Sequence, residues 1–219
     1  MSKNINDALS SDLKIFKNSQ TFENSPFAMF DKWFTEAKNC ELIQDATAMH
    51  LATSSKNAKP SVRVVLLKGF DKKGFTFFTN SNSHKGRDIQ ENPQAEINFY
   101  WAPLSKQIRI FGTVAELSSQ ESDEYFNSRH IISKQGACIS KQSNKLESYT
   151  QLQEEFEEFQ KNNPNPQRPP HWKGFRIIPQ EFEFWLDGAY RLHLRHQYIL
   201  EDITQDCELQ TWKHNFLYP

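Results

Sequence analysis

Between residues 48 and 117 the chain passes through five β-rich segments with no long helical pattern between them. They are AMHLATS (48–54), SVRVVLLKGF (61–70), FTFFTN (75–80), AEINFYW (95–101) and KQIRIFGTVAEL (106–117). Runs rich in Val, Ile, Thr and aromatic residues, bounded by turn signals such as Asp71-Lys72-Lys73-Gly74, read as strands. Parallel neighbours would need crossover connections of a dozen or more residues, usually helical. Five consecutive strands without them specify an antiparallel meander or barrel and exclude an alternating βαβ fold.

Helical periodicity brackets this region. Ser25-Pro26 supplies an N-cap and a first-turn proline, and Phe27, Phe30, Trp33, Phe34 and Ala37 then form an apolar stripe that ends before Asn39 and Cys40. Ser118 and Glu121 fit a capping box that opens a helix carrying Tyr125, Phe126 and Arg129. A further helix is predicted over 145–162, with Leu146, Tyr149, Leu152, Phe156 and Phe159 as its buried stripe and glutamates on its wet face. FRIIPQEFEFWL (175–186), RLHLRHQYIL (191–200) and the closing ELQTWKHNFLYP read as two or three more strands, and NNPNPQRPP (162–170) as a stiff connection. The fold class is therefore α+β, a barrel-like antiparallel sheet with helices at its ends. Residues 1–24, polar and aperiodic, read as a flexible N-terminal segment, and 25–219 as a single domain.

Composition limits the function classes. Hydrophobic residues make up 37% against 24% charged, a balance that alone would suit disorder, but 18 Phe, 6 Tyr and 5 Trp supply large buriable surfaces. A net charge of −1 gives no global attraction to nucleic acid or anionic lipid, so anions must be bound by local arrangements of Arg and Lys. Cys40, Cys138 and Cys207 lack CxxC or Cys/His spacing, and are expected to be reduced thiols rather than metal ligands. MSKNINDALSSDLKIF lacks a secretory apolar region and no run of ~18 apolar residues exists, so a cytoplasmic protein without membrane contact is expected. No P-loop, nucleophile elbow or GxGxxG appears, and seven glycines are too few for a Gly-rich phosphate cradle.

The cationic candidates lie in four places. Arg63 and Lys68 bracket Val64–Leu67, and their odd separation would put them on opposite faces of a regular strand, either toward different groups or simply toward solvent. Lys85 follows the next strand. Tyr125 and Arg129 are spaced i, i+4 on one helical face, where a phenol and a guanidinium converge on one anion or form a solvated surface pair. Arg191, His193 and Arg195 alternate along a presumed strand with Leu192 and Leu194 opposed, giving one face two cations and an imidazole. Their mutual repulsion needs an anionic or electron-rich ligand to offset it, unless the face is an exposed edge.

DATAMHLAT, RVVLLKGFDKKGFTFFTN, YFNSR, SKQS and FWLDGAYRLHLR, in this order and from about residue 46 onward, resemble the pyridoxine (pyridoxamine) 5′-phosphate oxidase family, whose members have an FMN-binding split barrel. Carried over by position, the resemblance implies FMN ligands at Arg63, Val64, Val65, Leu66, Leu67, Lys68, Phe78, Thr79, His84, Lys85, Gln107, Gln142, Ser143, Trp185 and Arg195, with Arg63, Lys85 and Ser143 on the phosphate. It implies a substrate-phosphate pocket of Lys68, Tyr125, Arg129 and Ser133, and a catalytic pair, Arg191 and His193, that covers the pyridine ring beside Leu192. A homodimer is implied too, with FMN sites at the subunit interface and the ligands before residue 110 and after 140 drawn partly from different chains. The implied reaction oxidises pyridoxamine and pyridoxine 5′-phosphates to pyridoxal 5′-phosphate, with O2 reduced to H2O2. The chain departs from the family pattern at His84, where Arg is usual, over HIISKQGAC (130–138), at Leu194, where Asp is usual, and at Phe216, where Arg is common. Two other readings are a related FMN oxidase of the phenazine-biosynthetic type and a flavin- or pyridoxal-phosphate-binding protein without turnover.

Overall fold

Among the described residues the β-rich runs pair as nine strands of one sheet. The computed structural model describes Glu23, residues 25–201 and residues 210–219. The expectations for the rest of the N-terminal segment and for Cys207 fall outside the described residues. Four strands come first: β1 (Ala48–Ser54), β2 (Pro60–Leu66), β3 (Gly69–Asp71) and β4 (Gly74–Asn80). They are followed by β5 (Gln94–Trp101), β6 (Lys106–Glu116), β7 (Trp172–Leu186), β8 (Leu194–Leu200) and β9 (Trp212–Phe216). The hydrogen-bonded order is β2-β1-β5-β6-β7-β4-β3, with β8 added to β7 and β9 to β8. The helices are α1 (Pro26–Asn39), α2 (His84–Glu91), α3 (Ser119–Ser128), α4 (Ile131–Ile139) and α5 (Tyr149–Asn162).

The chain packs as two units, and β5, β6 and β7 each run through both. The first unit holds α1, residues 98–110 and 179–219, hence β8 and β9. Pro26 sets the first helical turn of α1, although the Ser25 side chain makes no capping bond. Phe30, Trp33, Phe34 and Ala37 are buried as the stripe requires, Met29 joins them, and Phe27 is half-buried against Phe182 at 5.3 Å. Phe30 meets Phe99 at 5.3 Å and Trp33 meets Phe184 at 5.5 Å, both edge-on. Each such ring removed from water contributes about 2–3 kcal/mol.

In the same unit His196 of β8 and His214 of β9 touch through Nδ1 and Nε2 at 3.1 Å. Burial lowers the pKa of both, and for His196 the neighbouring imidazole adds to the effect. A folded-state pKa below the unfolded one means that the unfolded chain binds more protons as pH falls through 6.5, so stability drops toward acid. Melting temperature is expected to fall between pH 7 and 5, and His196→Phe is expected to flatten that dependence in calorimetric scans. An unchanged slope in the variant would remove the pair as its cause.

The second unit holds residues 49–97 and 111–178. Here β4 pairs antiparallel with β7, from Phe75 opposite Ile177 to Asn80 opposite Trp172. Phe75, Phe77, Phe175 and Ile177 are buried from that ladder. The Asp71–Gly74 turn closes the β3–β4 hairpin, with the Lys73 N–H donating to Asp71 Oδ1 at 2.7 Å. Gly74 has φ +133°, and a Cβ there would lie 2.0 Å from the Ile177 carbonyl oxygen. Gly74→Ala is expected to cost more than about 3 kcal/mol, read as a lower denaturation midpoint at constant m-value.

Four sequence expectations are corrected. The run 61–70 breaks at Leu67-Lys68 into β2 and β3, so Arg63 and Lys68 do not belong to one regular strand. The helix expected over 145–162 begins at Tyr149, where Ser148 caps it by accepting the Thr150 and Gln151 N–H groups. Leu146 and Tyr149 are consequently exposed, Leu152, Phe156 and Phe159 only half-buried. The capping box at Ser118 and Glu121 forms, but Arg129 is the C-cap, in extended conformation, rather than a helical residue. Finally, the stretch read as a strand from Arg191 begins as a 3-10 turn over Ala189–Arg191, and β8 starts only at Leu194. Left-handed backbone at Tyr190 (φ 57°) and Arg191 (φ 65°) is incompatible with strand alternation. Helices α2 and α4 have no counterpart in the sequence reading, since both are short and HKGRDIQE lacks an apolar stripe.

Candidate active site

Three segments of the second unit converge on a cleft of about 770 Å³. The end of β2 and the connection after it bring Arg63, Val64, Val65, Leu66 and Lys68 to its wall. The β4–α2 region brings Phe78, Thr79, His84 and Lys85, and the α3–α4 region brings Tyr125, Arg129, His130 and Ser133. Gln142, Ser143 and Trp172 complete it. Of the residues expected here, Leu67 is buried and does not line the cleft.

Lys85 is 7% exposed. Its Nζ donates to Gln142 Oε1 at 2.9 Å, Thr79 Oγ1 at 3.1 Å and Ser83 Oγ at 3.3 Å, all neutral acceptors. Burial, and secondarily the positive Arg63, hold its pKa down at about 8. The Arg63 guanidinium donates to Leu51 O, Thr53 Oγ1 and Ser61 Oγ, and lies 3.8 Å from Asp88 Oδ2. Asp88 itself accepts from Thr53 Oγ1 at 2.7 Å, and its other oxygen lies 3.6 Å from His84 Nε2. The His84 backbone N–H donates to Ser143 Oγ at 3.2 Å, and Ser143 sits at φ 71°, a strained value of the kind found at binding sites. Gln142 and Ser143 thus meet Thr79, His84 and Lys85 within one chain.

Arg129 lies on the opposite chemical pattern, a cation among rings. Its Nη1 is buried without a hydrogen-bond partner, its guanidinium carbon is 4.9 Å from the Trp172 ring, and burial lowers its pKa. Its neighbour Cys138 is a free thiol whose pKa burial raises. Ser133 is exposed in the first turn of α4.

Gln107, Trp185, Arg191, Leu192, His193 and Arg195 belong to the first unit and do not line this cleft. His193 Nδ1 lies 2.9 Å from Asp187 Oδ1 and accepts the Gly188 N–H at 3.3 Å, and its ring packs on Trp185 at 4.7 Å. Arg191 and Leu192 are exposed. Arg195 Nε donates to Glu183 Oε1 at 2.8 Å and Nη1 to the Tyr218 carbonyl at 2.8 Å, while Arg109 holds the other Glu183 oxygen at 3.1 Å. Of the three, Arg195 thus faces Glu183 and His193 faces Asp187. The sequence reading missed Asp88, Asp187, Glu183 and Trp172. Only the i, i+4 spacing of His84 and Asp88 on a helix could have signalled one of them.

Among the described residues no group of three or more His, Cys, Asp or Glu could hold a metal ion, and no helix is long and apolar enough to cross a membrane. The family described as pyridoxamine 5′-phosphate oxidase matches residues 35–163, and the pyridoxine 5′-phosphate oxidase C-terminal dimerisation region matches 172–219. A pyridoxine/pyridoxamine 5′-phosphate oxidase of Nostoc sp. is 47% identical over 178 residues, covering 80% of this chain and 83% of the relative. That of Nostoc punctiforme is 45% identical over 197 residues, 89% of each. Among solved structures, PhzG from Burkholderia lata, in complex with tetrahydrophenazine-1-carboxylic acid, has a TM-score of 0.83 at 28% identity over 91% of this chain and 95% of its own. A pyridoxamine 5′-phosphate oxidase-related, FMN binding protein from Nostoc punctiforme shares the fold at TM-score 0.70 and 18% identity, over 90% of this chain and all of its own. The antiparallel split barrel with flanking helices is thus the fold that the sequence implies. With both family regions matched in order along the chain and relatives up to 47% identical, the chain belongs to the pyridoxine/pyridoxamine 5′-phosphate oxidase family.

Proposed function

We propose that the protein is an FMN-dependent oxidase that converts pyridoxamine 5′-phosphate and pyridoxine 5′-phosphate to pyridoxal 5′-phosphate, with O2 as acceptor and H2O2 as by-product. The observation that carries this reading is a cleft holding two kinds of anion receptor: the Lys85 cluster, whose buried ammonium has only neutral partners, and Arg129, whose buried Nη1 has none. Both groups are unfavourable as they stand, and a phosphate would offset each. FMN fits the first cluster, with Arg63, Lys85 and Ser143 holding its phosphate and Thr79 and Gln142 fixing the lysine. His84 supports the same phosphate, and Val64–Lys68 and Phe78 flank the flavin.

When bound, FMN would supply the two-electron redox chemistry of the reaction. Lys68, Tyr125, Arg129 and Ser133 anchor the substrate phosphate and thereby orient the carbon to be oxidised. Arg191 and His193 cover the pyridine ring, with Asp187 beside the imidazole. Because these last residues, with Gln107, Trp185 and Arg195, belong to the other unit, we assign their contribution to a homodimer. The match to a dimerisation region supports that assembly. So do the exposed Val62 and Val64, 65% and 57% accessible on the β2 edge strand.

Peroxide release from purified protein incubated with FMN and pyridoxamine 5′-phosphate tests the reading, with light scattering for the dimer. Absence of peroxide from protein that retains stoichiometric FMN would sink it. Turnover of a reduced phenazine carboxylate instead would favour the second reading, which the likeness to PhzG motivates.

A further inference from the structure

Arg129 is held in place without a carboxylate to hold it. Its contacts are aromatic: the guanidinium carbon stands 4.9 Å from the Trp172 ring centroid and 5.9 Å from that of Phe126. Trp172 is fixed in turn by a stack of nearly parallel rings. Phe78 lies 5.1 Å from Trp172 at 10° and 4.1 Å from Tyr125 at 16°, and Tyr125 and Trp172 are tilted by only 6°.

The sheet register produces this stack. Phe78 is opposite Gly174 and Asn80 opposite Trp172, so Phe78 and Trp172 are diagonal neighbours on one face of the β4–β7 ladder. Gly174 makes room, since a Cβ there would lie 2.7 Å from the Phe78 ring and 2.7 Å from Leu117 Cδ1. A backbone position, a glycine and three rings thus fix the plane on which the guanidinium rests.

We propose that Trp172 is a positioning residue for phosphate-ester recognition: its indole face sets Arg129 on the cleft wall so that the guanidinium is available to the substrate's phosphate. The proposal rests on the reading of Arg129 as a substrate-phosphate ligand given above. An indole face attracts a guanidinium through its quadrupole and leaves all five N–H donors uncommitted, whereas a carboxylate partner would compete with the substrate for them.

The test uses FMN-loaded protein, with Trp172→Phe, Trp172→Tyr and Trp172→Leu, alone and with Arg129→Met. Two quantities are read: the ratio of kcat/KM for pyridoxine 5′-phosphate to that for pyridoxine, and the calorimetric affinity for pyridoxal 5′-phosphate against pyridoxal. A phenyl ring attracts a cation less than an indole, so Trp172→Phe is expected to lower both ratios about three- to tenfold, with Tyr falling between. Leu, which removes the ring, is expected to lower them further. In the Arg129→Met background Trp172→Phe is expected to change either ratio by less than about twofold, because a residue that acts through Arg129 has nothing left to act on. Equal losses for phosphorylated and unphosphorylated ligands, or undiminished losses without Arg129, would overturn the proposal. If the Leu variant fails to fold, the Phe and Tyr variants, which keep a ring in the stack, decide it. A parent protein that does not discriminate the phosphate ester at all overturns the underlying site reading and this proposal with it; a discriminating parent with an unaffected Trp172→Phe variant overturns the proposal alone.

Discussion

Lys85→Met is expected to make the flavin-free protein more stable and to remove most of its hold on FMN. The two effects have one cause. Burial holds the ammonium at a pKa of about 8, against 10.5 in the unfolded chain, so at neutral pH folding must carry a charged group into a site that disfavours the charge. That displacement corresponds to about 3 kcal/mol of lost stability. Met fills similar space without the charge, and the loss of a donor to Thr79, Ser83 and Gln142 takes back roughly 1–2 kcal/mol. A net gain of about 1–2 kcal/mol, or some 2–8 °C in melting temperature, is expected. The pH dependence has a definite sign. Between about 8 and 10.5 the unfolded chain binds more protons than the folded one, so stability of the flavin-free parent rises with pH through that window and the variant lacks this rise. FMN affinity should fall about 30- to 1000-fold, the loss of one charge-assisted bond to a dianion worth about 2–4 kcal/mol. Scans of flavin-free protein at pH 7.5 and 10, with fluorescence titration of FMN, check both halves. A variant that is less stable without flavin and equally tight with it would contradict the assignment.

Much of the fold was legible because its strands advertise themselves. β1 begins and ends where the AMHLATS run does, and β4, β5 and β6 fall within a residue of their segments, since β-branched and aromatic residues at period two leave few alternatives. The failures share a physical origin. α2 is held by the Ser83 cap, whose Oγ accepts the Gly86 N–H, and by Asp88 turned inward to Thr53, neither of which shows as periodicity. The Arg191–Arg195 stretch alternates perfectly in sequence, yet left-handed backbone at Tyr190 and at Arg191 itself turns the chain. Alternation marks a strand only where the backbone can stay extended.

The site was legible as a set of residue types and not as a network. Arg63, Lys85, Tyr125 and Arg129 were found as cations and a phenol, and the cleft gathers all four. What surrounds each cation could not be read, because a partner is supplied by three-dimensional packing at any sequence distance. Arg195 turned out to be matched by Glu183, twelve residues away, whereas Lys85 is surrounded by neutral oxygens and Arg129 by rings. Those surroundings set Arg195, which has a carboxylate beside it, apart from Lys85 and Arg129, which have none among the described residues.

That distinction gives the second large effect. Arg129→Met is expected to raise KM for pyridoxine and pyridoxamine 5′-phosphates about 100-fold while leaving the flavin spectrum unchanged. The phosphate of the substrate carries the same charge before, during and after oxidation of a distant carbon, so Arg129 stabilises ground and transition states alike, and such uniform binding appears in KM. A smaller fall in kcat, less than about tenfold, is expected from looser orientation of the reacting carbon. Stability should not fall, because the variant removes a buried Nη1 that has no hydrogen-bond partner. Arg195→Met should behave in the opposite way, leaving Glu183, which is 6% exposed, with Arg109 as its remaining counter-charge, and lowering the melting temperature before any substrate is added. Steady-state kinetics with FMN content verified, together with melting curves of both variants, separate the two arginines. An Arg129 variant with parental KM and a lowered melting temperature would place this residue among the structural cations instead.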